Sequence, residues 1–301
     1  MAGVACSLFF QIAFNPLSKS IVGGDLTKIR GLTASTIQKF LLAEINENGV
    51  LDEGGDYKDD NVTVFTHNHP SLAESLYLLA WALQRFPDEE IAVPINLPWH
   101  SQIQDKEDAL REVGIVLLPI ITPALFERMG EPADLVEPRN QLVDRFNAEL
   151  NQLAESGGGV CLLAPQATRK ATIYEDETQA ETGISEEGSA ISPTIYGMSL
   201  FAKQKRNLNK FTIIPTGVTL PDGVRSNGLN MGKQYHINLG EAVSLVALTE
   251  KYNAYKKTPK DDDKLPTKDE RRTFMDRHVL NCIAELVPES YRYPESSSDI
   301  H

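Results

Sequence analysis

Residues 62–86, VTVFTHNHPSLAESLYLLAWALQRF, join an apolar, β-branched run to a helix across a polar turn. Val62, Thr63, Val64, Phe65 and Thr66 favour a strand. His67-Asn68-His69-Pro70 is the turn, and Leu72, Leu76, Leu79 and Leu83 recur at the spacing of one helix face, closing at Phe86-Pro87. A strand that hands over directly to a helix constrains the fold strongly. Its partners must be further strands of the same kind, with helices covering the sheet.

Such partners recur along the chain. Residues 91–97 and 114–121 are continuously apolar rather than alternating, as expected of strands buried on both faces. Further strands are expected at 160–164, at 211–215 continuing through 216–221, and at 235–239, ending at Gly240. Helices are expected over 33–45, from near Pro138 to the glycines at 157–159, around 196–203, and from a capping box at Thr267-Lys268-Asp269-Glu270 onward. That last helix carries Met275, Val279, Cys282 or Ile283, and Leu286 on one face. Residues 46–61 and the acidic stretch 175–187 read as surface loops, and 256–268 as a charged linker. The alternation predicts an α/β fold: a single domain with a central mixed, largely parallel sheet flanked by helices.

Composition narrows the partners. A chain of 301 residues can bury a substantial core, and 41% hydrophobic with 24% charged residues is ordinary for a globular protein. The net charge of −13 excludes a general nucleic-acid binder, which needs a basic footprint. Cys6, Cys161 and Cys282 stand far apart, so neither a disulfide framework nor a zinc knuckle is expected, and a cytoplasmic location suits them. Residues 2–14, AGVACSLFFQIAF, are too short to span a bilayer, are broken by Ser7 and Gln11, and have no preceding Lys or Arg. They are read either as a helix on the core or as an interfacial helix resting on a membrane.

Three segments can carry chemistry. His69 can accept a proton from an alcohol if a carboxylate fixes its tautomer, and Glu74 stands five positions on. Glu74 equally completes a capping box with Ser71, a purely structural role. His67 and His69 alternate along extended backbone, an arrangement that also suits one metal ion in a hydrolase. The loop after the strand at 160–164 offers Gln166, Thr168, Arg169 and Lys170 where ligands bind in open α/β sheets; a hydroxyl and two cations suit a phosphate. Taken alone, it is equally a solvated basic loop. Ile213-Ile214-Pro215-Thr216-Gly217-Val218 is by itself a strand that meets a proline.

Taken in order, these segments resemble the glycerolipid acyltransferase family related to 1-acylglycerol-3-phosphate acyltransferase. The family's first motif is Asn-His, four residues, then Asp; Asn68-His69-Pro70-Ser71-Leu72-Ala73-Glu74 is similar, with Glu in the acidic place. Its third motif, roughly Phe-Pro-Glu-Gly-Thr-Arg, is matched by Ala164-Pro165-Gln166-Ala167-Thr168-Arg169. Its fourth, an apolar strand ending in Val-Pro or Ile-Pro, is matched by Ile213-Ile214-Pro215. The segment YHINLGEAV at 235–243 is similar to the strand and Gly-Glu-Pro turn that often follow. The sequence departs from the pattern at Gln166 for Glu and Ala167 for Gly, and it lacks a clear second motif of glycine followed shortly by arginine.

The resemblance implies a glycerolipid acyltransferase-like domain over 25–290, after an N-terminal apolar segment (1–24) and before a tail (291–301). It implies an enzyme that moves a fatty acyl group from acyl-CoA or acyl carrier protein to a hydroxyl of a glycerolipid precursor. His69 and Glu74 are then the catalytic pair, and Gln166, Thr168, Arg169, Lys170 and Pro215 the substrate-binding set. The implied partners are the acyl donor, a lipid acceptor and a membrane surface, with no nucleic acid, no metal and no cofactor beyond the acyl donor. The implied location is the cytoplasm, peripheral on the inner face of the membrane. The departures keep open a non-catalytic lipid- or carrier-binding homologue, and His67 with His69 keeps open the metal-dependent hydrolase.

Overall fold

The computed structural model describes residues 26–41, 44–49, 60–68, 74–122, 126, 130, 133–165, 171–173, 180–182, 193–219, 234–259 and 265–288. In chain order the elements are α1 (Leu26–Leu41), β1 (Glu44–Asn48), β2 (Val62–His67), α2 (Glu74–Arg85), β3 (Ile91–Asn96), α3 (Leu97–Ile103), α4 (Glu107–Glu112) and β4 (Ile115–Ile120). Then come α5 (Val136–Ser156), β5 (Gly159–Leu163), β6 (Ala171–Ile173), β7 (Ala180–Thr182), α6 (Thr194–Lys205), β8 (Phe211–Thr219), β9 (Gln234–Leu239), β10 (Val243–Ser244), α7 (Leu245–Tyr255) and α8 (Lys268–Glu285).

The chain is α/β, with an eight-stranded mixed, mostly parallel sheet flanked by helices. The strand order is β1-β9-β8-β2-β5-β3-β4, with β10 also on β8. Strands β8, β2, β5, β3 and β4 run parallel to one another. β9 and β10 pair antiparallel with β8, and β1 runs parallel to β9.

The continuous apolar runs follow from burial on both sides. Alternate residues of each strand enter two separate cores. Phe65, Ile91, Ile115, Leu117, Val160 and Leu162 join α1, α2 and α4 on one face. Val62, Val64, Ala92, Val116, Leu118, Cys161 and Leu163 join α5, α6, α7 and α8 on the other. Arg30 of α1 is buried and donates to the carbonyls of Pro87 (2.8 Å) and Glu89, fastening α1 to the turn between α2 and β3.

Several expected elements lie where the sequence put them, and α8 starts at the expected capping box. There the Thr267 hydroxyl accepts from the Glu270 N–H and Glu270 accepts from the Thr267 N–H. α5 ends at Gly157, whose φ of 120° suits the residue type. The first helix differs from expectation. It runs Leu26–Leu41 rather than 33–45, and residues 44–48 form a strand instead. A helical pattern reaching Ile45 is overridden by the backbone of β9, which pairs in parallel with β1 from Glu44↔Gln234 to Asn48↔Asn238. β8 is one strand of nine residues that carries the expected strand at 211–215 on to Thr219. The acidic stretch at 175–187 contains β7; the rest of it, and residues 1–25, lie outside the described residues. Among the described residues, no helix is long and apolar enough to cross a membrane.

Candidate functional site

Five parallel strands end on the same edge of the sheet, and a cavity of about 460 Å³ opens there. Its floor comes from strand ends: His67 of β2, Val93, Pro94 and Asn96 of β3, Ile120 to Thr122 at the end of β4, and Leu162 and Leu163 of β5. One wall is a stripe of α5 at helical spacing, Arg139, Val143, Phe146 and Asn147. Another is the first part of α6, with Thr194, Tyr196, Gly197 and Leu200. Val143 and Leu200 are large apolar side chains about half exposed, at 47% and 50%.

The segment that carries the first motif leaves and re-enters at this cavity. His67 and Ser75 both line it, on either side of residues 68–74. His67 is buried, and its Nδ1–H donates to the Asn68 carbonyl at 2.9 Å. Asn68 acts as a strand residue made from a side chain. Its Nδ2 donates to the Val218 carbonyl (2.9 Å) and its Oδ1 accepts the Val218 N–H (2.7 Å), prolonging the β2–β8 pairing by one step. The chain is therefore clamped where it leaves the sheet toward position 69. His69 itself, with residues 70–73, lies outside the described residues.

Glu74 re-enters as the first residue of α2 and is fully buried. A carboxylate out of water requires polar contacts, and its Oε1 accepts one from the Ser75 hydroxyl at 2.9 Å. An exposed capping glutamate would sit in solvent, as Glu270 partly does at the start of α8. Ser71, the proposed capping partner, lies outside the described residues.

The third-motif loop also begins at the cavity. Ala164 lines it and Pro165 is buried beside it, whereas Gln166, Thr168, Arg169 and Lys170 lie outside the described residues. Pro215 is placed differently. It sits in the middle of β8, buried, opposite Thr66, and is not among the described residues lining the cavity. Its carbonyl accepts the Gly240 N–H at 2.8 Å. In a strand the N–H and carbonyl of one residue point to the same side. The N–H that proline lacks therefore faces the break between β9 and β10, where the ladder is interrupted anyway. Gly217, two residues on, lies against α8's end. A Cβ there would fall 2.8 Å from both the Cβ and the carbonyl oxygen of Leu286.

Sequence reasoning did not single out the residues that set the cavity's walls. Arg139 is half-buried, with its guanidinium 4.9 Å from the ring centre of Phe126. Arg272 of α8 lines the cavity and is exposed. Asp276, one turn along α8, is fully buried and accepts the backbone N–H groups of Ile195 (2.9 Å) and Tyr196 (3.3 Å) at the start of α6. It takes the place of an N-cap, since Pro193 offers no capping side chain. Burial pushes the Asp276 carboxyl up to about 7, against the opposing pull of those N–H groups. The signal was visible: residue 276 shares a helix face with Val279, Leu280 and Ile283, so an acid there had to be buried.

Among the described residues, no group of three His, Cys, Asp or Glu side chains is placed to hold a metal ion. No protein-family model and no curated protein matches the sequence.

Proposed function

We propose that this chain is an acyltransferase of the glycerolipid type, moving a fatty acyl group from a thioester of coenzyme A or acyl carrier protein to a hydroxyl of a glycerolipid precursor. One observation carries the reading. The segments that resemble the family's first and third motifs both leave the sheet at one cavity, His67 and Ser75 flanking one and Ala164 heading the other. Two catalytic loops serving one reaction must share a chamber, and the carboxyl edge of parallel strands is where such chambers form.

The burial of Glu74 at the start of α2 supports its part in the pair. A buried carboxylate five residues beyond His69 in the sequence suits an imidazole that must cycle through its charged form. In the proposed step His69 takes the proton of the acceptor hydroxyl while that oxygen bonds to the thioester carbonyl carbon. The tetrahedral intermediate collapses with cleavage of the C–S bond, and the imidazolium returns the proton to the departing sulfur. Backbone N–H groups of the motif loops would stabilise the oxyanion. Arg169, with Thr168, Lys170 and Gln166, would hold the acceptor's polar group. Pro215 shapes the sheet behind the site. The apolar walls and the exposed Val143 and Leu200 suit a fatty chain entering from a membrane surface, with residues 2–14 as a docking segment.

The test is thiol release from a panel of acyl-CoA and acyl-carrier-protein thioesters, each offered phosphorylated and neutral glycerolipid acceptors. Acceptor-dependent release supports the reading. Binding of these lipids without any release favours a non-catalytic homologue instead.

A further inference from the structure

Gly197 stands inside α6, where glycine weakens a helix and needs a compensating reason. Two of the usual reasons are absent. Its backbone is not left-handed, for it is not among the glycines of positive φ. Nor does another element press against it. A Cβ built there meets no heavy atom of a described residue within 4 Å, the backbone of its own helix aside, whereas one at Gly217 would strike Leu286. What the missing side chain leaves is room, and that room belongs to the cavity. Half-buried Gly197 lines it, as do Thr194 and Leu200, three residues to either side on the same helix face.

This wall has nowhere to retreat. Ile195, Met198 and Ala202 fix the other side of α6 in the core shared with α5, α7 and α8. Asp276 holds the N–H groups of Ile195 and Tyr196 at its start. A side chain at 197 would therefore take its volume from the cavity rather than push the helix back. The same space is lined by Val93, Val143, Phe146 and Leu162, which suit a hydrocarbon chain, and by Arg139 and Arg272, which suit an anionic end. We infer that Gly197 is a specificity-determining position, whose bare backbone admits a long hydrocarbon chain that any larger residue would cut short. Burying one more methylene tightens binding about threefold to fourfold, and a leucine side chain would displace about four methylenes of the ligand. The inference rests on the acyl-transfer reading only for what becomes of the chain; binding itself does not require turnover.

The experiment is calorimetric titration of the full chain with octanoate, dodecanoate and myristate, comparing the wild type with Gly197→Leu, Gly197→Ala and Gly31→Leu. Gly31 of α1 is the control. It is a helical glycine with equally open surroundings, exposed, and not among the described residues lining the cavity. Affinity should rise with chain length in the wild type and in Gly31→Leu. Gly197→Leu should bind myristate about 10²-fold more weakly than the wild type does, with octanoate within about twofold. Gly197→Ala should weaken myristate about threefold, and it decides the matter if the leucine variant melts early. Thermal melts establish that each protein is folded, as expected when glycine gives way to better helix formers. The inference is overturned if the wild type binds none of these chains, if the Gly197 variants keep its length profile, or if they weaken every length equally. Length selection lost at Gly197 in a protein that releases no thiol from any thioester would remove the acyl-transfer reading and leave this one standing.

Discussion

Asp276 and Glu74 are both fully buried acids, the first holding backbone N–H groups and the second proposed as half of a catalytic pair. Asp276 holds the first N–H groups of α6 and so sets the wall formed by Thr194, Tyr196 and Gly197. Asp276→Ala removes the acceptor of both N–H groups, leaving the buried one of Ile195 unpaired at about 1–3 kcal/mol, and should lower the urea midpoint accordingly. Its pH dependence has a definite sign. The folded carboxyl titrates at about 7 against an ordinary 3.8, so between these values the folded state binds protons that the unfolded state does not. Its contribution to stability is therefore full in acid and is lost as pH rises through about 7. Urea midpoints compared at about pH 5 and pH 8 should show that fall in the wild type and a flatter profile in Asp276→Asn. Glu74→Gln retains an acceptor for the Ser75 hydroxyl but cannot balance an imidazolium. It should cost about 10²-fold or more in turnover while the protein remains folded, which steady-state rates with a melt would check.

At the scale of elements, the sequence disclosed strands better than their pairing. β2, β3, β4, β5 and β8 were legible because burial on both faces makes them continuously apolar. β1 was not, since Glu44-Ile45-Asn46-Glu47-Asn48 is mostly polar and becomes a strand only through β9. α3 and α4 escaped notice as short helices, the first begun by Leu97-Pro98, neither long enough to show a period. α7 escaped as well, although Ser244 caps it by accepting the Ala247 N–H at 3.1 Å. The fourth motif gains a structural meaning from this scale. Gly217 lets β8 pass against Leu286, and a methyl group there meets a backbone carbonyl that cannot yield. Gly217→Ala should destabilise by about 1–3 kcal/mol, read from the denaturation midpoint, with little change in whatever rate the folded fraction retains.

Across the whole molecule, the candidate site was legible as motifs and not as a chamber. Residues 68–74 and 164–170 stand out because each follows a strand and concentrates polar side chains in a few positions. The walls are drawn from residues as distant as Val93 and Arg272, which no local pattern links. Asn147 looks like an ordinary helix-surface amide until burial shows otherwise. Arg139 and Arg272, on two different helices, are the cations among the described residues that line the cavity.

The most direct measurement is acceptor-dependent thiol release by the wild type and by His69→Ala, each shown folded by its melt. Release by the wild type and a drop of about 10²–10⁴-fold in the variant are expected. Equal rates in the two proteins would contradict the proposed reaction, as would a wild type that releases no thiol with any donor and acceptor.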